Sequence, residues 1–247
     1  PFPEEMNRVV VARLASLHFA PTAQAAANLR VEGIPQSDIE VTGNTGIDAV
    51  VEIRDALVEG RLLAHDLPAL DPSKKAIVVT GHRRESFGEG FERICDALAR
   101  LADRPDVEIV YAVHPNPNVD TPVRRKLAGL SNVHLISPLD YVSFVELMRR
   151  AHLLLTDSGG IQEEAPSLGK PVLVMREKTE RPESVEAGTS RLVGTDPESI
   201  VAECSVLLDD AAEYARRARL HNPYGDGHAA ERIRARLAAI SGAPSAR

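Results

Sequence analysis

From Lys75 to Arg176 the sequence repeats one pattern, a short apolar run followed by an amphipathic stretch. The runs are KAIVVTG, VEIVYAV, VHLISP, LLLTDSGG and PVLVMR; between them lie FGEGFERICDALARLADR, TPVRRKLAGL, YVSFVELMRRA and IQEEAPSLG. A strand that is apolar along its whole length has no side to turn to water, so both faces of its sheet must be covered. A helix after every strand supplies that cover and makes successive strands parallel. The pattern continues through RLVGT, PESIVAECSVLLDD and AAEYARRARL, and it predicts an α/β fold with a doubly wound parallel sheet over about residues 67–220.

Upstream, NRVVVARLASLH reads as a helix ending near His18, and HFAPT as a short strand and a break. TAQAAANLRVEG reads as a helix closed by Gly33, and DIEVTGN as a strand. TGIDAVVEIRDALVEGRLLAHD reads as one long helix over residues 45–66, and the Pro- and Asp-rich DLPALDPSK as a connector. A last helix is expected from about Gly227 to Ile240, followed by a mobile SGAPSAR tail.

Charge limits what such a fold can hold. With 36 acidic against 29 basic residues the net charge is −7, so no basic field spans the chain to attract nucleic acid or an anionic membrane surface. Any anion must be held locally. Cys95 and Cys204 lie in helix-like stretches without a CxxC spacing or a histidine partner, and are read as buried thiols in a reducing compartment rather than as metal ligands. No apolar segment of membrane-spanning length and no signal-peptide order is present, which predicts a cytoplasmic protein.

Doubly wound sheets bind ligands beyond the carboxyl ends of their strands, and polar clusters recur there. Gly81-His82-Arg83-Arg84 follows one strand, His114-Pro115-Asn116-Pro117 the next, and Asp157-Ser158-Gly159-Gly160 a later one. Ser158 is placed to cap a helix starting near Ile161, while Gly159 and Gly160 let backbone N–H groups approach an anion or hydroxyl. Glu163 and Glu164 follow, where a carboxylate can accept hydrogen bonds from a ribose diol; ordinary acidic capping is the alternative. Arg83 and Arg84 offer forked donors suited to phosphate beside the titratable His82. The alternative is a solvated turn whose arginines pair with Glu85 and Glu89. His114 is a second polar contact or a strand-end histidine, Phe144 a core residue or a base-stacking ring, and Arg181 a ligand contact or a solvated charge. Neither a GxGxxG nor a P-loop pattern is present, so no NAD or ATP-hydrolysing site is expected.

Taken together, PFPEEMNR, VTGNTGIDA, VTGHRRESFGEGFERICDAL, VHPNPNV, LTDSGGIQEEAPSLGKPVLVMREKTERPE, GTSRLVGTD and HNPYGDGHAAERI resemble the bacterial non-hydrolysing UDP-N-acetylglucosamine 2-epimerases. The resemblance covers essentially the whole chain, with the motifs in the family's order. It implies a glycosyltransferase-B-like architecture of two Rossmann-like domains, and reversible inversion at C2 that interconverts UDP-GlcNAc and UDP-ManNAc. The implied reaction eliminates UDP to give 2-acetamidoglucal and then re-adds it, without metal or redox cofactor, in cell-envelope polysaccharide synthesis. A homodimer is implied as well. Residue by residue, the resemblance places His82 beside the UDP phosphates with Arg83 and Arg84 as basic neighbours. Ser158, Gly159 and Gly160 become the diphosphate cradle and Glu164 the ribose carboxylate. Phe144 and the backbone near Leu139 take the uracil, Arg181 is a further nucleotide contact, and Glu4 is a catalytic carboxylate. His114 matches a residue near a second, activating UDP-GlcNAc.

The departure from the family lies at the start. Full-length members begin with a long N-terminal segment that has no counterpart here, and the resemblance puts the other catalytic carboxylates, an Asp and a Glu, in it. The opening PFPEE, without an initiator Met, is therefore read as the middle of a longer chain. Residues 1–44 are expected to be the remnant of the N-terminal domain, with Val9, Val10, Val11 and Leu14 short of partners. Residues 45–66 form a connecting helix, 67–220 the UDP-binding domain, and 221–247 a helix returning towards the first domain. On this reading the chain alone is inactive. The alternatives are a glycosyltransferase or hydrolysing epimerase of the same fold, or a UDP-sugar-binding module without catalysis.

Overall fold

A helix–strand alternation becomes a fold only when the strands choose an order, and the computed structural model, which describes residues 3–242, gives that order. Its contacts divide the chain into two units, Pro1–Ala49 with Pro223–Arg247, and Val50–Asn222. Residues 243–247 of the expected tail, and Pro1 and Phe2 of the opening motif, lie outside the described residues.

In the first unit α1 (Glu4–Leu14) precedes two parallel strands, β1 (His18–Ala20) and β2 (Ile39–Val41), joined through α2 (Ala23–Val31). The helix expected to run to His18 stops at Leu14, because Ala15 turns extended and His18 is taken into register opposite Ile39. Thr22 caps α2, its hydroxyl accepting the Ala25 N–H at 3.0 Å. Val10, Val11 and Leu14 of α1 are exposed, by 51%, 63% and 80%.

The last helix, α11 (Ala229–Ser241), belongs to this first unit. Its first two N–H groups, of Ala229 and Ala230, are accepted by the carboxylate of Asp48 at 3.1 and 2.7 Å. Arg232 donates to the Thr42 carbonyl at 3.0 Å and forks onto Asp226. Two glycines make that contact possible: a Cβ on Gly225 would lie 3.4 Å from the Asn44 nitrogen and 3.6 Å from the Gly43 Cα, and both glycines have positive φ.

The helix over VTGNTGIDA, α3 (Thr45–Val58), ends eight residues before the expected position 66. Gly60 adopts φ +73°, its N–H reaching the Leu57 carbonyl while Arg61 N–H reaches that of Ala56. This is a Schellman closure, which a glycine at that site favours over helix continuation.

The second unit carries the alternating pattern. Its elements are β3 (Lys75–Gly81), α4 (Glu89–Ala102), β4 (Val107–Val113), α5 (Pro117–Leu127), β5 (Val133–Ile136), α6 (Tyr141–Arg150) and β6 (Leu153–Thr156). There follow α7 (Gly159–Glu164), β7 (Val172–Val174), α8 (Pro182–Glu186), β8 (Ser190–Leu192), α9 (Pro197–Asp209) and α10 (Ala211–Ala218). Among the described residues the sheet has the order β5-β4-β3-β6-β7-β8, parallel throughout.

Alternate side chains of the same strand fill opposite layers, as the pleat requires. Ile77 and Val79 join Phe91, Leu98 and Leu207 on one face, while Val78 joins Val50, Val145 and Met148 on the other. The two cysteines fall in the first layer, and burial pushes both thiols up to about 12. No helix among the described residues is long and apolar enough to cross a membrane.

Candidate functional site

In the sheet order the chain runs outward one way from β3 to β4 and β5, then crosses back and runs outward the other way through β6, β7 and β8. Beyond the carboxyl ends of β3 and β6 the flanking loops part in opposite directions, leaving the crevice typical of doubly wound sheets. Two of the polar clusters stand there, one after each strand.

Asp157 joins them. The residue is 1% exposed, and its Oδ2 accepts the backbone N–H groups of both His82 and Arg83 at 2.7 Å. The loop after β3 is thus tied to the loop after β6. Below it, the Thr80 and Thr156 hydroxyls lie 2.6 Å apart and Thr156 Oγ1 accepts the Ser158 N–H at 3.0 Å. Gly81 must be small, because a Cβ there would stand 3.0 Å from the Tyr111 hydroxyl and 3.3 Å from Phe91.

The crevice holds a cavity of about 210 Å³ lined by His82, His114, Leu139, Phe144, Ser158 and Ile161. The rings of His82 and His114 stack with centroids 5.7 Å apart, so both histidines line one wall. Phe144 is held by the α6 cap, where Asp140 accepts the Ser143 N–H at 3.0 Å and its hydroxyl at 2.7 Å. It lies half-buried at the edge of the core rather than inside it.

Ser158 occupies the cap position of α7, yet its side chain makes no capping hydrogen bond, and the helix begins at Gly159 rather than near Ile161. Gln162, fully buried, replaces that link: its amide donates to the Ser158 carbonyl at 3.0 Å and its oxygen accepts from the Thr179 hydroxyl at 2.7 Å. Thr179 Oγ1 in turn accepts the Arg181 N–H at 3.0 Å. Arg181 is therefore brought alongside α7, where its guanidinium pairs with Glu163 and stands 3.6 Å from where a Cβ on Gly159 would be.

Glu164 takes another direction. Burial, reinforced by the charge of Glu163 and opposed by the Tyr141 hydroxyl bonded to it, pushes its carboxyl up to about 7. Burial and the same contact push the Tyr141 phenol up.

The arginines of the first cluster do not pair as a simple turn would have them. Arg83 reaches Glu180 at 3.2 Å, while Glu85 is taken by Arg176 at 2.6 Å and Glu89 lies 3.6 Å from Arg93. Arg176 also pairs with Glu180. Burial works against the ionised Glu180, but backbone hydrogen bonding and these two arginines hold its carboxyl below the usual range. Its Oε1 stands only 2.9 Å from where a Cβ on Gly159 would be, over the glycine turn. Arg84 is exposed in a short 3₁₀ turn, with no charged partner among the described residues. Glu4 stands in the first unit, exposed in the opening turn of α1.

Gln162, Arg176 and Glu180 are not singled out from the sequence, and Asp157 is named only as part of its polar cluster, without a role of its own. Asp157 sits in the same DSGG stretch as Ser158, Gly159 and Gly160, and Arg176 and Glu180 lie in MREKTERPE.

The profile of the UDP-N-acetylglucosamine 2-epimerase family matches residues 1–238. A probable UDP-N-acetylglucosamine 2-epimerase of Ralstonia nicotianae is 58% identical over 94% of this chain and 64% of its own length. The UDP-N-acetylglucosamine 2-epimerase of Salmonella typhimurium is also 58% identical, over 94% of this chain and 63% of its own. The crystal structure of the Neisseria meningitidis UDP-GlcNAc 2-epimerase bound to UDP-GlcNAc superposes with a TM-score of 0.88 at 44% identity, covering 96% of this chain and 65% of that one. The chain thus spans about 64% of the length of the curated relatives it matches. Over that span its fold is the α/β, glycosyltransferase-B-like architecture of those enzymes, and the chain belongs to the UDP-N-acetylglucosamine 2-epimerase family.

Proposed function

We propose that the crevice between β3 and β6 binds UDP, as the nucleotide half of a UDP-GlcNAc 2-epimerase site that interconverts UDP-GlcNAc and UDP-ManNAc. One observation carries this reading: the topological switch point gathers a ring-sized cavity, a glycine helix start, a buried carboxylate and histidine and arginine donors at one rim. At about 210 Å³ the cavity is smaller than the 300–1,000 Å³ pockets of whole drug-sized ligands, and is on the scale of one base. Phe144 and Leu139 flank the uracil, Glu164 accepts the ribose hydroxyls, and Ser158, Gly159 and Gly160 face the diphosphate with His82, Arg83 and Arg84. Arg181, held by Glu163, stands as a further contact. His114, stacked on His82, lines the same wall and is the candidate for meeting a second nucleotide.

Elimination of UDP breaks the C1–O bond and leaves negative charge on the diphosphate. Cationic donors placed where that charge develops lower the barrier. Removing the C2 proton needs a base, for which Glu4 is this chain's candidate carboxylate. Residues 67–220 act on this reading as the nucleotide domain, and the protein works in the cytoplasm as a homodimer.

Titration calorimetry of the 247-residue protein with UDP is the direct test, and absence of binding by folded protein would overturn the proposal. Proton NMR with UDP-GlcNAc in deuterated buffer then tests whether the chain alone carries catalysis. Loss of the sugar H2 signal with growth of the manno isomer marks catalysis. UDP binding without exchange is the outcome expected of this chain alone, and it fits the nucleotide half of an epimerase site as well as a module that only binds.

A further inference from the structure

The geometry points to Asp157 as a positioning residue that fixes the tautomer of His82, presenting Nε2 rather than Nδ1 to the crevice. The two oxygens of its buried carboxylate do different things. Oδ2 is saturated, accepting the N–H groups of His82 and Arg83 at 2.7 Å. Oδ1, on the same side chain, has no hydrogen-bond partner among the described residues. A buried carboxylate oxygen left unpaired is costly, so a donor is expected to serve it. The imidazole Nδ1 of His82 stands 3.4 Å away, with 42% of its side chain open to solvent.

A proton on Nδ1 satisfies that oxygen, and the neutral ring then carries its lone pair on Nε2. Carboxylates behind histidines set the free nitrogen of metal-binding imidazoles in the same way. Because Oδ2 holds the backbone of the very residue whose ring meets Oδ1, ring and main chain share one anchor. The ring can reorient only by leaving it.

Two buried rival donors lack partners among the described residues, and the Arg83 Nε–H is one of them. The Tyr111 hydroxyl is the other, and it packs against Gly81, next to His82. Were either to serve Oδ1, the histidine would be free to take the Nε2–H form that isolated histidine favours.

The dyad itself is read in ligand-free protein, whereas its consequence for ligands rests on the crevice being a UDP site. Long-range ¹H–¹⁵N correlation spectra distinguish the two nitrogens of each imidazole, and comparison with His82→Asn assigns the His82 signals. The wild type is expected to show His82 protonated at Nδ1. In Asp157→Asn the amide oxygen can still accept the two backbone N–H groups, but the amide NH₂ now faces Nδ1 as a donor. The ring should then move its proton to Nε2. Tyr111→Phe should leave the Nδ1–H form in place. A wild-type Nε2–H signal, an unchanged tautomer in folded Asp157→Asn, or a switch caused by Tyr111→Phe would each overturn the inference. If Asp157→Asn does not fold, the wild-type and Tyr111→Phe spectra still decide it.

Asp157→Asn is further expected to weaken UDP by roughly tenfold, the lower end of what such outer partners contribute. A tautomer switch with unchanged UDP affinity would overturn the positioning role. Failure of the wild type to bind UDP would overturn the nucleotide reading, while the ligand-free spectra still decide the tautomer.

Discussion

Glu163 and Glu164 are adjacent in sequence but serve different partners: the Glu163 carboxylate pairs with Arg181, and that of Glu164 meets the Tyr141 hydroxyl in a largely buried setting. Successive residues of a helix point about 100° apart, so one of the pair can face a ligand while the other braces a neighbour. Glu164→Ala is expected to weaken UDP by about 10- to 100-fold, the worth of hydrogen bonds to a charged group. Glu163→Ala should cost only a few-fold through a loosened Arg181. Calorimetry on both variants checks the ranking, and equal losses would show that Glu164 is not the ribose contact.

The same carboxyl makes binding depend on pH. With its proton loss raised to about 7 by burial, Glu164 is largely protonated at pH 6 and largely ionised at pH 8. An ionised carboxylate is the better acceptor for a ribose diol, so UDP affinity should rise across that interval. Glu164→Gln should remove this component, leaving the titration of UDP itself. For folding the sign is opposite: a raised carboxyl favours the folded state fully below its ordinary value of 4.5, and this contribution is lost as pH rises through about 7. Unfolding midpoints of wild type and Glu164→Gln compared from pH 4 to 8 should diverge in that direction.

Gly159 separates binding from stability. An added Cβ would stand 2.9 Å from Glu180 Oε1, the movable end of a side chain, so Gly159→Ala should fold with a stability within about 1 kcal/mol of wild type. The methyl group would nevertheless project into the cradle, and UDP binding should fall by at least roughly tenfold, about 1.4 kcal/mol. Normal affinity in the alanine variant would place the diphosphate elsewhere.

Asp48 supports a helix from outside it. It accepts the Ala229 and Ala230 N–H groups, so Asp48→Ala leaves both without that partner and should cost about 1 kcal/mol in urea unfolding. UDP affinity should be unaffected, since the crevice residues belong to the other unit.

Both thiols, pushed up to about 12 by burial, are almost wholly protonated at neutral pH. A thiol-reactive disulfide reagent should label neither at a measurable rate in native protein and both after denaturation. Rapid native labelling would mean that the layer containing Cys95 and Cys204 opens.

The parallel sheet was legible because strands buried on both faces must be apolar throughout, as VEIVYAV is, and amphipathic stretches such as FERICDALARL betray their helices by spacing. The polar clusters at the strand ends were legible for the same reason, as each interrupts an apolar run. The end of α3 was missed because Gly60 inside LVEGRLL is compatible with either continuation or a Schellman closure, and local spacing does not choose between them.

What the sequence determined by itself, then, was which residues form strands, which form helices and which stand at the strand ends, because those follow from periodicity within a few residues. Which strand ends meet was decided only by the tertiary structure. Asp157 lies 75 residues beyond His82, and β6 pairs with β3 instead of extending past β5, which joins them at the switch point. Strand order depends on how the helical layers pack across the whole sheet, a long-range free-energy balance that no local pattern records.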